Sequence, residues 1–414
     1  MKIAIASSGF LPVVDGVTIT LINRLQRLSQ YGHQVLLFCP DYSCVETIYP
    51  NWRDYTGNIL PGVRVINLPS ESIMRMDFDR NVTQKSYQTV LQALHEFQPD
   101  IIHVDEPERL FVGFWKRPCV DFAKQNSIPC VSFFHTNFLD YGKDYFNTPN
   151  WLDSILKWVF QFPLAWIYNA YDATLVASSF SEVKLTKMGV KNVIQGDFLG
   201  VDLDKFNREV AKECFFEKQY GISEIESQLK IVFLGRLTPD KGWDFTLDAI
   251  SKLTQQIDIK NIALIIAGDG VMRDAIATKL SKLTPNVYFL GRISPDDVPA
   301  LLVNCDIHVT TSEKETRGLT ILEAFAAGIP VIAPRAGGIQ DSIQDGWNGF
   351  LYEPQNRDDF VEKLKLLIRD RALRKTMGDR ARDYVAQYTW ENAINKLLEI
   401  WEKQITKKNR IRSK

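Results

Sequence analysis

Between positions 312 and 324 the chain runs Ser312-Glu313-Lys314-Glu315-Thr316-Arg317-Gly318-Leu319-Thr320-Ile321-Leu322-Glu323-Ala324, which sets two acids, Glu315 and Glu323, on either side of Gly318. Glu323 falls inside the apolar pattern Leu319, Leu322, Phe325, Ala326 and is expected on a helix, whereas Glu315 precedes the glycine and belongs to the approach loop. The first N–H groups of such a helix, from about Gly318 onward, lack partners within it. Together with the helix dipole they attract an anion, most simply a phosphate. Acids on both sides of an anion site suit a ligand with hydroxyls on both sides of a phosphate. A nucleotide-sugar has that order of parts: ribose, diphosphate, hexose.

A second cluster supplies positive charge. Ile231 to Leu234 reads as a buried strand that runs into Gly235-Arg236, and Lys241 follows five residues after Arg236. In isolation the two cations could be ordinary surface charge. Glu315 and the Gly318 helix start, on a later unit of the same domain, favour a diphosphate clamp. Such a clamp neutralises a departing nucleoside diphosphate without a metal. Asp77-Phe78-Asp79 and Asp202-Leu203-Asp204 have the spacing by which many sugar transferases hold a divalent cation, but that spacing is common by chance, and no metal is expected. In the loop Ser8 to Val17, Gly9 and Gly16 let the backbone approach a ligand and Pro12 stiffens the path. The loop opens a helix expected near Thr18 and lacks a Gly-x-Gly-x-x-Gly fingerprint, so nicotinamide and flavin cofactors are disfavoured. No cofactor is expected, the nucleotide-sugar being a substrate. His135 follows the buried run Val131 to Phe134 and suits a sugar-hydroxyl ligand. General-base chemistry fits it less well, because no acid close in sequence orients it.

These residues need a scaffold that brings strand ends together. Apolar runs at Ile3–Ala6, Val35–Cys39, Val63–Leu68, Ile101–Val104, Cys130–Phe134 and Ala173–Ala177, then Ile231–Leu234, Ala263–Ala267, Val287–Leu290, Ile307–Thr310 and Val331–Ala333, alternate with helical patterns. That rhythm predicts β-α-β units with buried parallel strands, an α/β chain of two doubly wound, Rossmann-like domains. At 414 residues both domains can bury a core. The expected bounds are a first domain over 1–207, a polar linker over 208–228, a second domain over 229–385, and a helix with a basic, frayed tail over 386–414. Ligands of such sheets bind at the carboxyl ends of the strands, in a cleft the two domains would share.

A net charge of −1 gives no global pull toward nucleic acid or membrane, and no nucleic-acid partner is expected. Six cysteines without metal spacing read as reduced thiols in a cytosol-like compartment. The opening Met1-Lys2-Ile3-Ala4-Ile5-Ala6 reads as a first strand, too short for a signal peptide. The stretch Trp151 to Tyr171 holds Trp158, Phe160, Phe162 and Trp166, and two readings stand side by side: an interfacial helix dipping into lipid headgroups, or a core helix under the first sheet.

Taken together, Gly9 to Val17, Ser178-Ser179-Phe180-Ser181, Gly200-Val201-Asp202 with Phe206, Gly235-Arg236 with Lys241-Gly242, Ala267-Gly268-Asp269-Gly270, the Glu315 to Glu323 motif and Gly346-Trp347-Asn348-Gly349-Phe350 resemble the retaining nucleotide-sugar glycosyltransferases of family 4, which have the two-domain GT-B fold. The resemblance implies that Arg236 and Lys241 hold the diphosphate, helped by backbone at Gly16, Gly318 and Leu319. By the same likeness Glu315 and Thr316 meet the donor sugar, Glu323 the ribose, and His135 the sugar near the reacting carbon. It also implies metal-free transfer on one face of the sugar, with the leaving phosphate helping to deprotonate the acceptor. Many members carry Phe where this chain has Arg317. The loop Phe10 to Gly16 is similar to that of bacterial and plastid sulfolipid synthases and related lipid glycosyltransferases. With the aromatic segment, where Trp158 and Trp166 would touch acceptor or membrane, this leads to the expectation of a peripheral enzyme on a cytosolic or stromal face. Its expected reaction moves a hexose, galactosyl or sulfoquinovosyl first, from a UDP-sugar to a membrane lipid. A soluble sugar or polysaccharide acceptor is the alternative, and a nucleotide-sugar-binding protein without turnover a further one. Acceptor choice is expected to reside in the loops 70–80 and 137–151.

Overall fold

The computed structural model describes residues 1–73, 76–135, 150–207 and 213–412, and they form two compact units. The first comprises residues 1–73, 76–135, 150–199 and 390–412, the second residues 200–207 and 213–389.

In the first unit, β1 (Lys2–Ala6), β2 (Gln34–Pro40), β3 (Gly57–Leu60), β4 (Val63–Leu68), β7 (Ile101–Asp105), β8 (Cys130–Phe134), β9 (Ala173–Val176) and β10 (Val193–Gln195) build an eight-stranded sheet in the order β10-β9-β8-β7-β1-β2-β4-β3. Every pair is parallel except β3 with β4. The central strands β7 and β8 are buried along their whole length, which is why they are mostly apolar, with His103, Asp105 and Ser132 as buried polar exceptions. A separate antiparallel pair, β5 (Ser70–Ile73) and β6 (Met76–Val82), stands outside the sheet. β3, β5 and β10 are only three or four residues long, so apolar patterning does not announce them.

The second unit is an all-parallel six-stranded sheet: β11 (Leu229–Leu234), β12 (Ile262–Ala267), β13 (Val287–Gly291), β14 (Ile307–Val309), β15 (Val331–Pro334) and β16 (Gly349–Tyr352), in the order β13-β12-β11-β14-β15-β16. Helix Trp243–Gln256 packs Trp243, Phe245, Ile250 and Leu253 onto Ile231, Phe233, Leu264 and Ile266.

The chain changes unit at two points that lie side by side within the second unit. Val201 bridges Thr389, and its N–H donates to the Tyr388 carbonyl at 2.9 Å. Residues 200–207 therefore belong to the second unit, where the Phe206 carbonyl accepts from Arg382 at 2.7 Å. The stretch expected as a polar linker holds a short helix, Phe215–Tyr220, that buries Phe215 and Phe216. The charged residues around it masked these two aromatics in the sequence.

The last helix, Trp390–Arg412, packs on the first unit. Ile394, Leu397, Ile400 and Trp401 share a core with Ile3, Leu25 and Val131. The basic tail expected to fray stays helical through Arg412, and Lys408 pairs with Asp172 at 2.6 Å. Trp401 is fully buried and its indole N–H donates to His103 Nδ1 at 3.3 Å. Trp401→Ala should cost about 3–5 kcal/mol, read as a lower urea midpoint for the transition of the first unit. Trp401→Phe, which loses the donor but keeps most of the volume, should lower it less.

Candidate active site

In the second unit the parallel register puts the ends of β11 and β14 side by side, Val232 opposite His308. β11 runs through Gly235 and Arg236 into a 3-10 turn, Pro239–Lys241, and helix Trp243–Gln256 starts behind Gly242. β14 runs into Thr311 and Ser312. The two segments are fastened together: Thr311 donates to the Lys241 carbonyl at 2.8 Å, and Ser312 to the Asp240 carbonyl at 3.3 Å. Gly242 has φ +75°, and a Cβ there would stand 2.3 Å from the Thr311 carbonyl oxygen, so no other residue permits this approach. Gly268, after β12, is equally constrained, since its Cβ would meet the Gly235 oxygen at 1.9 Å.

The result is that Lys241 Nζ lies 2.6 Å from Glu315 Oε1, with both side chains about one-quarter exposed. Burial pushes the Glu315 carboxyl up, but the Lys241 ammonium, by charge and hydrogen bond, and the Ser312 hydroxyl outweigh it and hold Glu315 below the usual carboxylate range. Arg236 is more open, its Nη2 3.4 Å from the buried carboxylate of Asp240. Gly318 caps helix Leu319–Ala326 at φ +82°, and no side chain caps the first N–H groups of that helix. Glu323 lies on this helix as expected, and burial alone pushes its carboxyl up to about 8. Arg317 is buried with its guanidinium 5.1 Å from the centre of the Tyr388 ring. It packs on the end of the second unit, a role that its place between Glu315 and Glu323 does not suggest.

The first unit offers a second arrangement at its own strand ends. Gly16 is the first residue of helix Gly16–Gln30, which begins earlier than expected because Asp15 and Thr18 form a capping box. His135 leaves β8 with Nε2 2.7 Å from Asp105 Oδ1, its ring stacked on Phe133 at 4.0 Å. No acid close in sequence orients His135, as expected, but one distant in sequence does: Asp105, on the neighbouring strand β7. Asp105 is fully buried and also meets Arg24 Nη1 at 3.1 Å and His103 Nε2 at 3.1 Å. Burial pushes its carboxyl up, yet Arg24 and the two histidines prevail and keep it well below the usual range. An ionised carboxylate only accepts, so both histidines present Nε2–H to it. His103, lowered to about 4 chiefly by burial, then has a lone pair on Nδ1 for the Trp401 indole. Next to Asp105, Glu106 is buried with φ +51° and accepts from Ser8 of the β1 loop. Glu108 is pushed up to about 8 by burial and by Glu106, and Tyr168 donates to it. None of these acids stood out in the sequence, because a parallel sheet makes neighbours of residues far apart in the chain.

Helix Asn150–Tyr168 joins the core through its last turns and leaves aromatic side chains in solvent. Leu164, Ala165, Ile167 and Tyr168 are buried, while Trp158 and Trp166 are 63% and 53% exposed. Of the two acidic pairs, the Asp202 carboxylate lies 3.9 Å from Lys205, and nothing is described of the Asp77 and Asp79 side chains. Among the described residues no group of three or more His, Cys, Asp or Glu could hold a metal ion. Residues 137–149, the greater part of one expected acceptor loop, lie outside the described residues.

Two family models cover most of the chain: "Glycosyltransferase Family 4" matches residues 14–205 and "Glycosyl transferases group 1" matches residues 216–384. The chain is a family 4-type glycosyltransferase of the GT-B fold. Sulfoquinovosyl transferase SQD2 of Arabidopsis thaliana is 32% identical over 314 residues, 74% of this chain, and the match spans 57% of that protein's length. A GDP-mannose-dependent alpha-mannosyltransferase of Corynebacterium glutamicum is 28% identical over 99% of this chain and 91% of its own. In fold, the glycosyltransferase is similar to Anabaena Alr3699/HepE, solved in complex with UDP and glucose, with a TM-score of 0.71 at 20% identity over 97% of this chain and 99% of the other.

Burial of the Glu323 carboxyl makes the stability of this glycosyltransferase depend on pH, as does the raised Glu108 carboxyl. A carboxyl whose folded value, about 8, exceeds its ordinary 4.5 favours the folded state most at low pH, and that advantage fades as pH rises through 8. Glu323→Gln should therefore gain in melting temperature over the parent between about pH 5 and 8, with the gap level above that. A gap independent of pH, measured by thermal melts across this range, would contradict the burial assigned to Glu323.

Proposed function

We propose that this glycosyltransferase moves a hexose from a UDP-sugar to a membrane lipid acceptor, with retention at the anomeric carbon and without a metal. The observation that carries the reading is the Lys241–Glu315 pair, held at the carboxyl edge of the second sheet beside the uncapped helix start at Gly318. In the proposed reaction the bond from the sugar C1 to the diphosphate oxygen breaks and a bond from the acceptor oxygen to C1 forms on the same face. The acceptor proton passes to the departing diphosphate. Arg236 and Lys241 hold that diphosphate and stabilise its developing charge, with backbone at Gly16, Gly318 and Leu319 assisting. When the donor binds, Lys241 exchanges part of its contact with Glu315 for phosphate, which frees Glu315, with Thr316, for sugar hydroxyls. Glu323 takes the ribose. In the first unit, His135, held by Asp105, is a ligand for a sugar hydroxyl.

The lipid acceptor is supported by the loop Phe10 to Gly16, by the name of the Arabidopsis relative and by the exposed Trp158 and Trp166. The mannosyltransferase relative favours a second reading of the donor, GDP-mannose, and both donors belong in the same assay. Purified protein incubated with a membrane lipid extract and labelled nucleotide-sugars should yield a new glycolipid from a UDP-sugar. No lipid product from any labelled UDP-sugar would refute the proposal, and product on a soluble sugar alone would move the acceptor to the polar class. Lys241→Ala and Glu323→Ala should each lower kcat/KM by an amount equivalent to about 2–4 kcal/mol, and parent-like turnover in either would show that the donor site lies elsewhere. Activity should survive a chelator. Loss that a divalent cation restores would overturn metal independence.

A further inference from the structure

Arg24, on helix Gly16–Gln30, is a cation sealed in the first unit at 1% exposure. Its Nη1 lies 3.3 Å from Oδ1 and 3.1 Å from Oδ2 of Asp105, at the end of β7. Its guanidinium also lies 5.8 Å from the centre of the Phe133 ring, on which His135 stacks. Arg24 thus reaches His135 along two paths, through Asp105 and through Phe133. Folding gives little reason for the charge. The same helix already buries Leu21, Leu25 and Leu28, and apolar residues of similar volume commonly serve stability as well as a buried ion pair does.

What the charge does decide is where hydrogens sit. Arg24, His103 of the same strand and His135 of β8 all face Asp105, while the next acid, Glu106, accepts from Ser8 and has Arg109 Nη1 at 3.8 Å. With Arg24 present the carboxylate is ionised, and each neutral imidazole donates Nε2–H to it and keeps its lone pair on Nδ1. Without the guanidinium, an isolated negative charge in an apolar site takes up a proton. His103 is closed to that proton, because its Nδ1 already accepts the Trp401 indole N–H at 3.3 Å. A proton on Asp105 Oδ2, facing an apolar side chain at position 24, would have no acceptor. Two routes remain: the proton binds Nδ1 of His135, or it stays on Asp105 Oδ1, which donates to His135 Nε2 and moves the ring hydrogen to Nδ1. By either route Nδ1 of His135 turns from acceptor into donor.

We propose that Arg24 is a positioning residue for the transfer reaction: with Trp401 closing His103, it keeps His135 an acceptor, so that the substrate hydroxyl at this ring donates its hydrogen to Nδ1. Its effect on turnover rests on the sugar-hydroxyl role given to His135, while the state of the ring is read without substrate. The chain has five histidines, and in the isotope-labelled full protein the ring signals of His135 are those missing from His135→Gln. At about pH 7.5 the parent should carry hydrogen on Nε2 of His135 and none on Nδ1. Arg24→Met should show hydrogen on Nδ1, and Arg24→Lys, which keeps the charge, should match the parent. In transfer from labelled UDP-galactose to a membrane lipid extract, Arg24→Met should lose about tenfold in kcat, with the deficit growing from about pH 8 to 6, and Arg24→Lys should recover most of it. Hydrogen on Nδ1 in the parent, or a ring that Arg24→Met leaves unchanged, would overturn the proposal. So would a deficit equal at every pH or equal in Arg24→Lys, the mark of a merely structural loss. Should Arg24→Met not fold, the ring state in the parent and in Arg24→Lys still decides. A switched ring with parent-like turnover would overturn both this proposal and the hydroxyl role of His135, and leave the donor site of the second unit standing.

Discussion

Parallel strand pairing is the constraint on which both candidate sites depend. Each crossover returns the chain to the same end of the sheet, so the carboxyl ends of successive strands gather along one edge regardless of separation in sequence. Lys241 and Glu315, 74 residues apart, meet because β11 and β14 are paired neighbours. His135 and Asp105 meet for the same reason on β8 and β7. Close approach then sets the residue types. The two strand exits of the second unit come so near that Gly242 faces the Thr311 carbonyl without room for a methyl group. Glycine and the apolar runs of the strands thus serve one end: they let two charged groups share an edge.

The two edges use charge differently. In the second unit Lys241 and Glu315 neutralise each other while remaining partly open to solvent, so either can change partner at modest cost. In the first unit Asp105 is sealed beneath Arg24, His103 and His135, and its ionisation is locked by three groups. Removing one partner from such a buried cluster leaves uncompensated charge, which is far more costly than loss of an exposed pair. One edge is suited to exchange with a charged ligand, the other to holding an imidazole in one orientation.

What the sequence disclosed and what it concealed follows from the range of the interactions. Glu323 on a helix after Gly318, and Arg236 and Lys241 behind a buried strand, are local patterns and are legible from periodicity and turn chemistry. Asp105 and Glu106 are not, because they stand at the end of a buried strand and matter only through Ser8, Arg24 and His135, which are far from them in the chain. Phe215 and Phe216 were hidden by their charged neighbours, and Arg317 looked like part of the motif when its guanidinium packs on Tyr388. The aromatic helix was ambiguous for a physical reason: Leu164, Ala165, Ile167 and Tyr168 are core, while Trp158, Phe160, Phe162 and Trp166 are at the surface.

The discontinuity of the first unit governs how the molecule is made. Its core includes Ile394, Leu397, Ile400 and Trp401, which leave the ribosome after the whole of the second unit. Until then the strip formed by Ile3, Leu25 and Val131 lacks its cover, and His103 lacks the indole that completes its hydrogen bonding. The sheet of the second unit lies within residues 200–389 and can close first. The strands of the first unit therefore stay partly uncovered until helix Trp390–Arg412 has been made.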